Sequence, residues 1–388
     1  MSEPVALGLI GCGGMAGAHL RGLRKLWEAG LRDFRVVATC DVDRERAARF
    51  AEELVGIQGG KRPGVYTGFE QMLAAEKGME AVNIIIVHRD HHAVAIPCLQ
   101  AGKHVTIEKP LGFTMRAGKL MLEAAAESGK VLQVAENYRR SPEHRAINWA
   151  LRAGKIGKPR MIYWIDVGER LWYWAWRDHK EQAGGGWVLD GGVHFADLFR
   201  YHLGPVREVA AITNTYQPLR YQKPETMEGP IKATVEDAVI ALLWFDDGVV
   251  GQWTSTMSAP GEKWGRRIIH GEEGSLDFGS GLRLRGSKRS QSIASLVRQY
   301  LKQASEREKE RYFPGGVTDT IATELWEFFQ AVRGKGKVEI DGREGYQAEA
   351  VCYAVYESAL AGKPVKTSAV ESLKVEGYQQ PLNALVGL

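Results

Sequence analysis

The stretch VALGLIGCGGMAGAH, beginning at Val5, constrains this chain more than any other. An apolar run without polar alternation, Val5–Ile10, leads into Gly11-x-Gly13-x-x-Ala16 and then into the helical pattern AHLRGLRKLWEAG. Such a run suits a parallel strand covered on both faces. The first glycine permits a tight turn and the second lets backbone approach a pyrophosphate. The small third residue lets helix pack closely on strand. A helix that starts there turns its unbonded N–H groups and positive dipole end toward a phosphate. Gly11, Gly13, Gly14, Met15 and Ala16 are therefore candidate dinucleotide-binding residues.

Strand and helix patterns alternate through the first third. Strands are expected at Arg35–Cys40, Val65–Tyr66, Ala81–Val87, His104–Ile107 and Val131–Ala135. Helices are expected at RERAARFAEELV, Phe69–Glu76, His92–Ala101 and Thr114–Ser128. Repeated units of this kind build a doubly wound sheet with a ligand crevice at the strand C-termini. The second strand ends in Asp41, where a carboxylate accepts hydrogen bonds from the ribose of NAD and repels the 2′-phosphate of NADP. Capping of the next helix falls more naturally to Asp43. Arg44 and Arg46 follow closely, so NAD is expected over NADP without a strict exclusion.

The other strand ends are also polar. HRDHH carries His88, Asp90, His91 and His92; EKP carries Glu108 and Lys109; ENYRR carries Tyr138 and Arg139. Adjacent residues seldom converge on one ion. HRDHH is accordingly read as a helix N-terminus over a cofactor, with Asp90 as its cap and no metal. Pro110 keeps Lys109 out of helical backbone. By position alone Lys109 is either a crevice-edge residue or an ordinary surface lysine.

Beyond Asn137 the pattern changes. A helix at Pro142–Ala153 precedes β-rich segments at Met161–Val167, Val206–Thr215, Val239–Phe245, Val249–Ser255, Arg267–His270 and Ser275–Phe278. WFDDGVVGQWTST reads as a hairpin. This predicts an α+β second domain on a largely antiparallel sheet, with boundaries 1–137 and 138–388. SIASLVRQYLKQASEREKERYF reads as one solvated or subunit-contacting helix; helices at Asp319–Arg333 and Gly345–Ala361 close the chain. RLWYWAWRD concentrates Trp172, Tyr173, Trp174 and Trp176, with Trp187 close behind. Such rings serve a core, a subunit contact or a sugar face; Trp176 and Arg177 are the candidate substrate contacts here.

Composition bounds the partners. Fifty-one basic and 47 acidic residues give a net charge of +4, too balanced to draw in nucleic acid. The four cysteines, Cys12, Cys40, Cys98 and Cys352, are scattered, as expected of free thiols in a reducing compartment. No signal peptide or membrane span is apparent, and a cytoplasmic protein is expected.

GLIGCGGMAGAH, CDVDRERA, AGKHVTIEKPLG, ENYRR, GGGWVLDGGVHFADL and YESALAGKPV together resemble the Gfo/Idh/MocA oxidoreductases over nearly the whole length. The resemblance implies a Rossmann dinucleotide-binding domain followed by a domain with a large open sheet. That sheet is implied to serve as the interface of a homodimer or homotetramer. It also implies NAD(P)-dependent oxidation or reduction of sugars, anhydrosugars or polyols. Lys109, Asp190 and His194 match the family's catalytic positions, and Glu108 and His92 fall in its cofactor-facing motifs. Where many relatives carry a Thr-Pro pair this chain has Val87-His88-Arg89, which brings His88 toward the cofactor loop.

In this scheme His194 or Lys109 takes the hydroxyl proton while Asp190 orients the imidazole or binds a substrate hydroxyl. Tyr138, Arg139, Trp176 and Arg177 are further substrate contacts. Asp197 is read as a structural partner on the same helix face. Two other functions are compatible with the same residues. One is redox-assisted glycoside cleavage with tightly held NAD; the other is a non-catalytic NAD-binding sensor.

Overall fold

In the computed structural model, which describes residues 3–388, the apolar runs of the first third become strands and the amphipathic runs helices. Met1 and Ser2 lie outside the described residues. In chain order the first elements are β1 (Val5–Ile10), α1 (Gly14–Glu28), β2 (Phe34–Cys40), α2 (Arg44–Gln58), β3 (Gly64–Tyr66) and α3 (Phe69–Ala75). Next come β4 (Ala81–Ile84), α4 (His91–Gln100), β5 (His104–Glu108), α5 (Met115–Ser128), β6 (Leu132–Ala135), α6 (Pro142–Arg152) and β7 (Pro159–Val167). Three helices follow: α7 (Lys180–Ala183), α8 (Trp187–Asp190) and α9 (Gly192–Leu203). A β-rich stretch holds β8 (Val206–Asn214), β9 (Leu219–Lys223), β10 (Glu228–Lys232), β11 (Ala238–Phe245), β12 (Val250–Thr256), β13 (Trp264–Gly271), β14 (Gly274–Asp277) and β15 (Gly281–Leu284). The chain continues through α10 (Ile293–Gln303), α11 (Glu306–Tyr312), α12 (Thr320–Val332), α13 (Gly342–Ala361) and β16 (Val365–Lys366).

Two compact units result. The first comprises the chain up to Phe113, Ala117–Ser141 and Ser305–Gly345. Its sheet is parallel throughout, in the order β3-β2-β1-β4-β5-β6. The order reverses between β1 and β4, the topological switch point where such sheets bind ligands. Both faces are covered. Val5, Leu7, Phe34 and Val36 are buried together with Leu325, Phe328 and Phe329 of α12, and Phe34 stacks on Phe329 at 5.0 Å. Gly22 of α1 permits that packing, since a Cβ there would lie 3.2 Å from the Ala322 backbone.

The second unit comprises Thr114–Arg116, Pro142–Ala304 and Tyr346–Leu388. Its eight-stranded sheet runs β15-β14-β13-β7-β12-β11-β8-β16. Every pair is antiparallel except β12 with β7, so the sheet is mixed but mostly antiparallel. The inward alternate residues, such as Trp164, Val239, Ala241 and Trp253, are buried, with Phe195 and Phe199 of α9 against the two tryptophans.

Several local expectations change. The fourth strand stops at Ile84 rather than Val87, because the chain bends across the glycine turn: a Cβ at Gly11 would lie 2.0 Å from Ile85 O. Asp90 does not cap α4. Its backbone is already helical, at φ −97° and ψ −1°, as part of a 3-10 turn over His88–Asp90, whereas a capping residue is extended. The long helix after the sheet is two helices, broken at Ala304–Ser305, where Ser305 caps α11 by accepting from Glu308 N. The two halves differ: α11 buries none of its residues, whereas α10 is not simply solvated. Leu296 and Tyr300 of α10 are buried, and Tyr300 packs on Trp149 of α6. The polar segments of β9 and β10 carry no strand signal, yet they form a two-stranded sheet of their own.

All four cysteines are buried and none is in a disulfide. Burial pushes the Cys12 and Cys98 thiols up to about 12 and Cys40 to about 11, so they pack as apolar groups. Among the described residues no helix is long and apolar enough to cross a membrane.

Candidate active site

The first unit carries the cofactor half. Gly11 sits at φ +93°, which a side chain rarely adopts, and makes the turn out of β1. Gly13 and Gly14 face open space, with no atom within 4 Å of where a Cβ would stand. Gly13 at the N-cap has no side chain to cap α1, and no acidic residue lies in its first turn. Its leading N–H groups and positive end are therefore left for an anion. Met15 is half-buried and Ala16 fully packed. Asp41, at the end of β2, accepts from Cys12 N at 2.8 Å and from Asp43 N at 2.9 Å, with the Arg46 guanidinium 3.1 Å away. It thus braces the glycine turn, while Asp43 caps α2 through Glu45 N and Arg46 N.

At the end of β5, Glu108 is buried and Lys109 half-buried. The Lys109 N–H donates to Glu108 Oε2 at 3.2 Å. Glu108 Oε1 lies 2.8 Å from Nε2 of His19 on α1. His88 is buried beside His91, and the half-buried His92 has its pKa lowered by desolvation, which disfavours the charged imidazole. Tyr138 is partly exposed; the Arg139 guanidinium is buried between Glu339 and Glu344, each at 3.8 Å. Among the described residues no group of three His, Cys, Asp or Glu side chains could hold a metal ion.

The second unit carries the other candidates, on α8 and α9. Asp190 is buried at the last position of α8, and His194 is half-buried in the first turn of α9. Arg177 Nε donates to Asp190 Oδ1 at 3.1 Å. The arginine belongs to an alternating stack, Trp172–Arg170–Trp174–Arg177–Trp176, with successive guanidinium-to-ring distances of 5.1, 5.3, 5.0 and 4.3 Å. Arg170 forks onto Asp178, which also accepts from Trp174 N at 2.6 Å. The aromatic run is therefore a cation–π wall held from behind by a buried carboxylate. Asp197 is buried on the inner side of α9.

The glycines around Asp190 are set by close packing. A Cβ at Gly191 would lie 2.7 Å from the Trp187 ring, and one at Gly192 2.5 Å from Trp253. Gly186 approaches Glu236, whose carboxylate accepts from Gly186 N at 2.8 Å and Val188 N at 2.9 Å, with Tyr356 OH donating at 2.9 Å. Glu236 thereby caps α8 from a distant segment, and desolvation raises its pKa. Sequence reasoning passed over Glu236, Asp178 and His19, because nothing local marks a single polar residue whose partners lie far along the chain.

Family models place these two halves. Residues 5–136 match the oxidoreductase family with an NAD-binding Rossmann fold, and residues 149–367 match the C-terminal alpha/beta domain of the same family. The chain belongs to the Gfo/Idh/MocA oxidoreductases. Among its relatives in this family is a 1,5-anhydro-D-fructose reductase from Ensifer adhaerens, 30% identical over 332 residues, which are 84% of this chain and 90% of that protein. A levoglucosan dehydrogenase from Pseudarthrobacter phenanthrenivorans is 27% identical over 395 residues, covering 91% and 95%. Of solved structures, the WlbA dehydrogenase from Bordetella pertussis in complex with NADH and UDP-GlcNAcA has a TM-score of 0.74 at 25% identity, covering 94% of this chain and 99% of that one. The open space at Gly13 and Gly14, the uncapped start of α1 and the acceptor at Asp41 fit the NAD of a Gfo/Idh/MocA Rossmann domain.

Proposed function

We propose that this protein is an NAD-dependent dehydrogenase acting at a hydroxyl-bearing carbon of a sugar, anhydrosugar or polyol. The observation that carries the reading is the uncapped, glycine-lined start of α1 in a chain whose full-length relatives are carbohydrate oxidoreductases. Residues 1–137 are assigned to NAD binding and 138–388 to substrate and subunit contacts, except that Ser305–Gly345 returns to the first unit. When bound, the nicotinamide accepts or returns a hydride. The chain supplies the proton chemistry and the positioning. Lys109 and His194 handle the hydroxyl proton, and the lysine's charge favours alkoxide character. Asp190, held by Arg177, accepts from a substrate hydroxyl or orients the imidazole. The Trp176–Arg177 stack offers a flat face to the sugar, and Tyr138 and Arg139 complete the set. Gly11 to Ala16, Asp41, His88, His92 and Glu108 line the cofactor side.

Assembly through the second sheet belongs to the same reading. Ile240 and Ile212 are directly opposed on its outer face, with Leu242, Val250 and Tyr163 beside them, all exposed. An apolar face of this kind marks a protein contact, and a homodimer or homotetramer covers it. The protein is placed in the cytoplasm, where reduced thiols and NAD coexist. The test is direct. Purified protein is mixed with NAD and a panel of sugars, 1,5-anhydro sugars and cyclic polyols, and NADH absorbance is followed. Reduction of NAD by at least one panel member supports the proposal; NAD binding with no turnover on any of them contradicts it.

A further inference from the structure

Asn83, His19 and Glu108 form a file of hydrogen bonds through the interior of the first unit, and it ends on the backbone of Lys109. All three are buried, at 0%, 0% and 6% exposure. Asn83 Nδ2 donates to His19 Nδ1 at 2.9 Å, so Nε2 carries the ring proton. Nε2 donates to Glu108 Oε1 at 2.8 Å, and Glu108 Oε2 accepts from Lys109 N at 3.2 Å. On the far side of Lys109, His91 Nδ1 donates to Pro110 O at 2.9 Å from an equally buried position. Lys109 thus sits between two neighbours, each tied to a buried histidine.

The file is expensive for a core. Apolar residues at positions 19 and 83 would pack the same interior without dehydrating polar atoms. Asn83 Oδ1 has no hydrogen-bond partner among the described residues, and neither does the hydroxyl of Thr106, its neighbour across the β4–β5 ladder. Buried polar atoms left unsatisfied point to a demand other than stability.

We propose that His19 is a positioning residue for Lys109. By donating to Glu108 it fixes the carboxylate that holds the Lys109 main chain, and so aims the lysine at the hydroxyl it serves. The proposal rests on the reading above that Lys109 belongs to the proton-handling set. His19 touches no reacting atom; its effect passes entirely through Glu108.

The test uses full-length enzyme with NAD and the best substrate of the panel. His19→Leu is expected to lower kcat by about 10- to 100-fold while KM for NAD changes by less than about threefold, the signature of misplacement rather than lost binding. His19→Gln, whose amide nitrogen can replace Nε2, is expected to recover most of that loss; His19→Asn, a methylene shorter, is not. The double variant His19→Leu/Glu108→Gln is expected to be no slower than Glu108→Gln alone. If Lys109→Ala is inactive while His19→Leu turns over like the parent, the proposal fails and the catalytic reading stands. If Lys109→Ala keeps full turnover, both fail. Equal activities of His19→Gln and His19→Asn, or multiplying losses in the double variant, also overturn it, and the Gln/Asn comparison serves should His19→Leu not fold.

Discussion

Arg177 and Asp190 are joined by a 3.1 Å hydrogen bond from Nε to Oδ1, with the guanidinium stacked 4.3 Å from the Trp176 ring centroid. The aromatic wall and the carboxylate of the glycine-rich motif are therefore one assembly. A planar, stacked guanidinium does this; an ammonium does not. Arg177→Lys is expected to cut kcat/KM by about 10-fold and Arg177→Ala by about 100-fold, with NAD affinity unchanged. Steady-state kinetics with substrate and NAD varied separately check this.

Gly192 is required by packing. With the Trp253 ring 2.5 Å from where its Cβ would stand, Gly192→Ala must displace a buried tryptophan or shift α9. The expected cost is about 1–3 kcal/mol of stability. Combining it with Trp253→Phe should relieve part of that cost, a non-additivity that denaturant melts can read.

Glu324 of α12 is almost fully buried; desolvation is the largest effect on its carboxyl and raises its pKa well above the ordinary value. The folded protein therefore holds this proton more tightly than the unfolded chain does. Its contribution to stability is full below the ordinary carboxylate pKa and is lost as pH rises from there through the folded value. Glu324→Gln is expected to remove this loss, so the stability gained over the parent should grow with pH across that window. Urea midpoints measured over a pH series check the slope.

The exposed pair Ile240 and Ile212 gives the assembly a local test. Ile240→Lys places a charge in the centre of that face without touching the opposite, buried face of the sheet. A shift toward monomer in light scattering, with the parent's circular dichroism, is expected; an unchanged mass contradicts the assignment of this face.

Much of the first unit was legible because each apolar run, such as Val5–Ile10 and Phe34–Cys40, is both a strand and a buried one, so burial and period agree. The pattern failed where close approach, not hydrophobicity, ends an element, as at Ile84 beside Gly11. It also failed where polar strands pair only with each other, as in β9 and β10. The glycine turn was legible as a motif, and Asp43 as a cap. The purpose of Gly191 and Gly192 was not, since their neighbours are Trp187 of the preceding turn and Trp253 of a distant strand. His19, Glu236 and Asp178 were silent for the same reason. Each is one polar residue whose partners are set by the tertiary fold.

The central claim is hydride transfer between a substrate carbon and nicotinamide. The most direct measurement follows deuterium from the carbinol position of the best substrate. The account predicts that the label appears in NADH, one deuterium for each product formed, and that Lys109→Ala binds NAD but transfers none. Product released with no net NADH, or with the label lost to solvent, would contradict it.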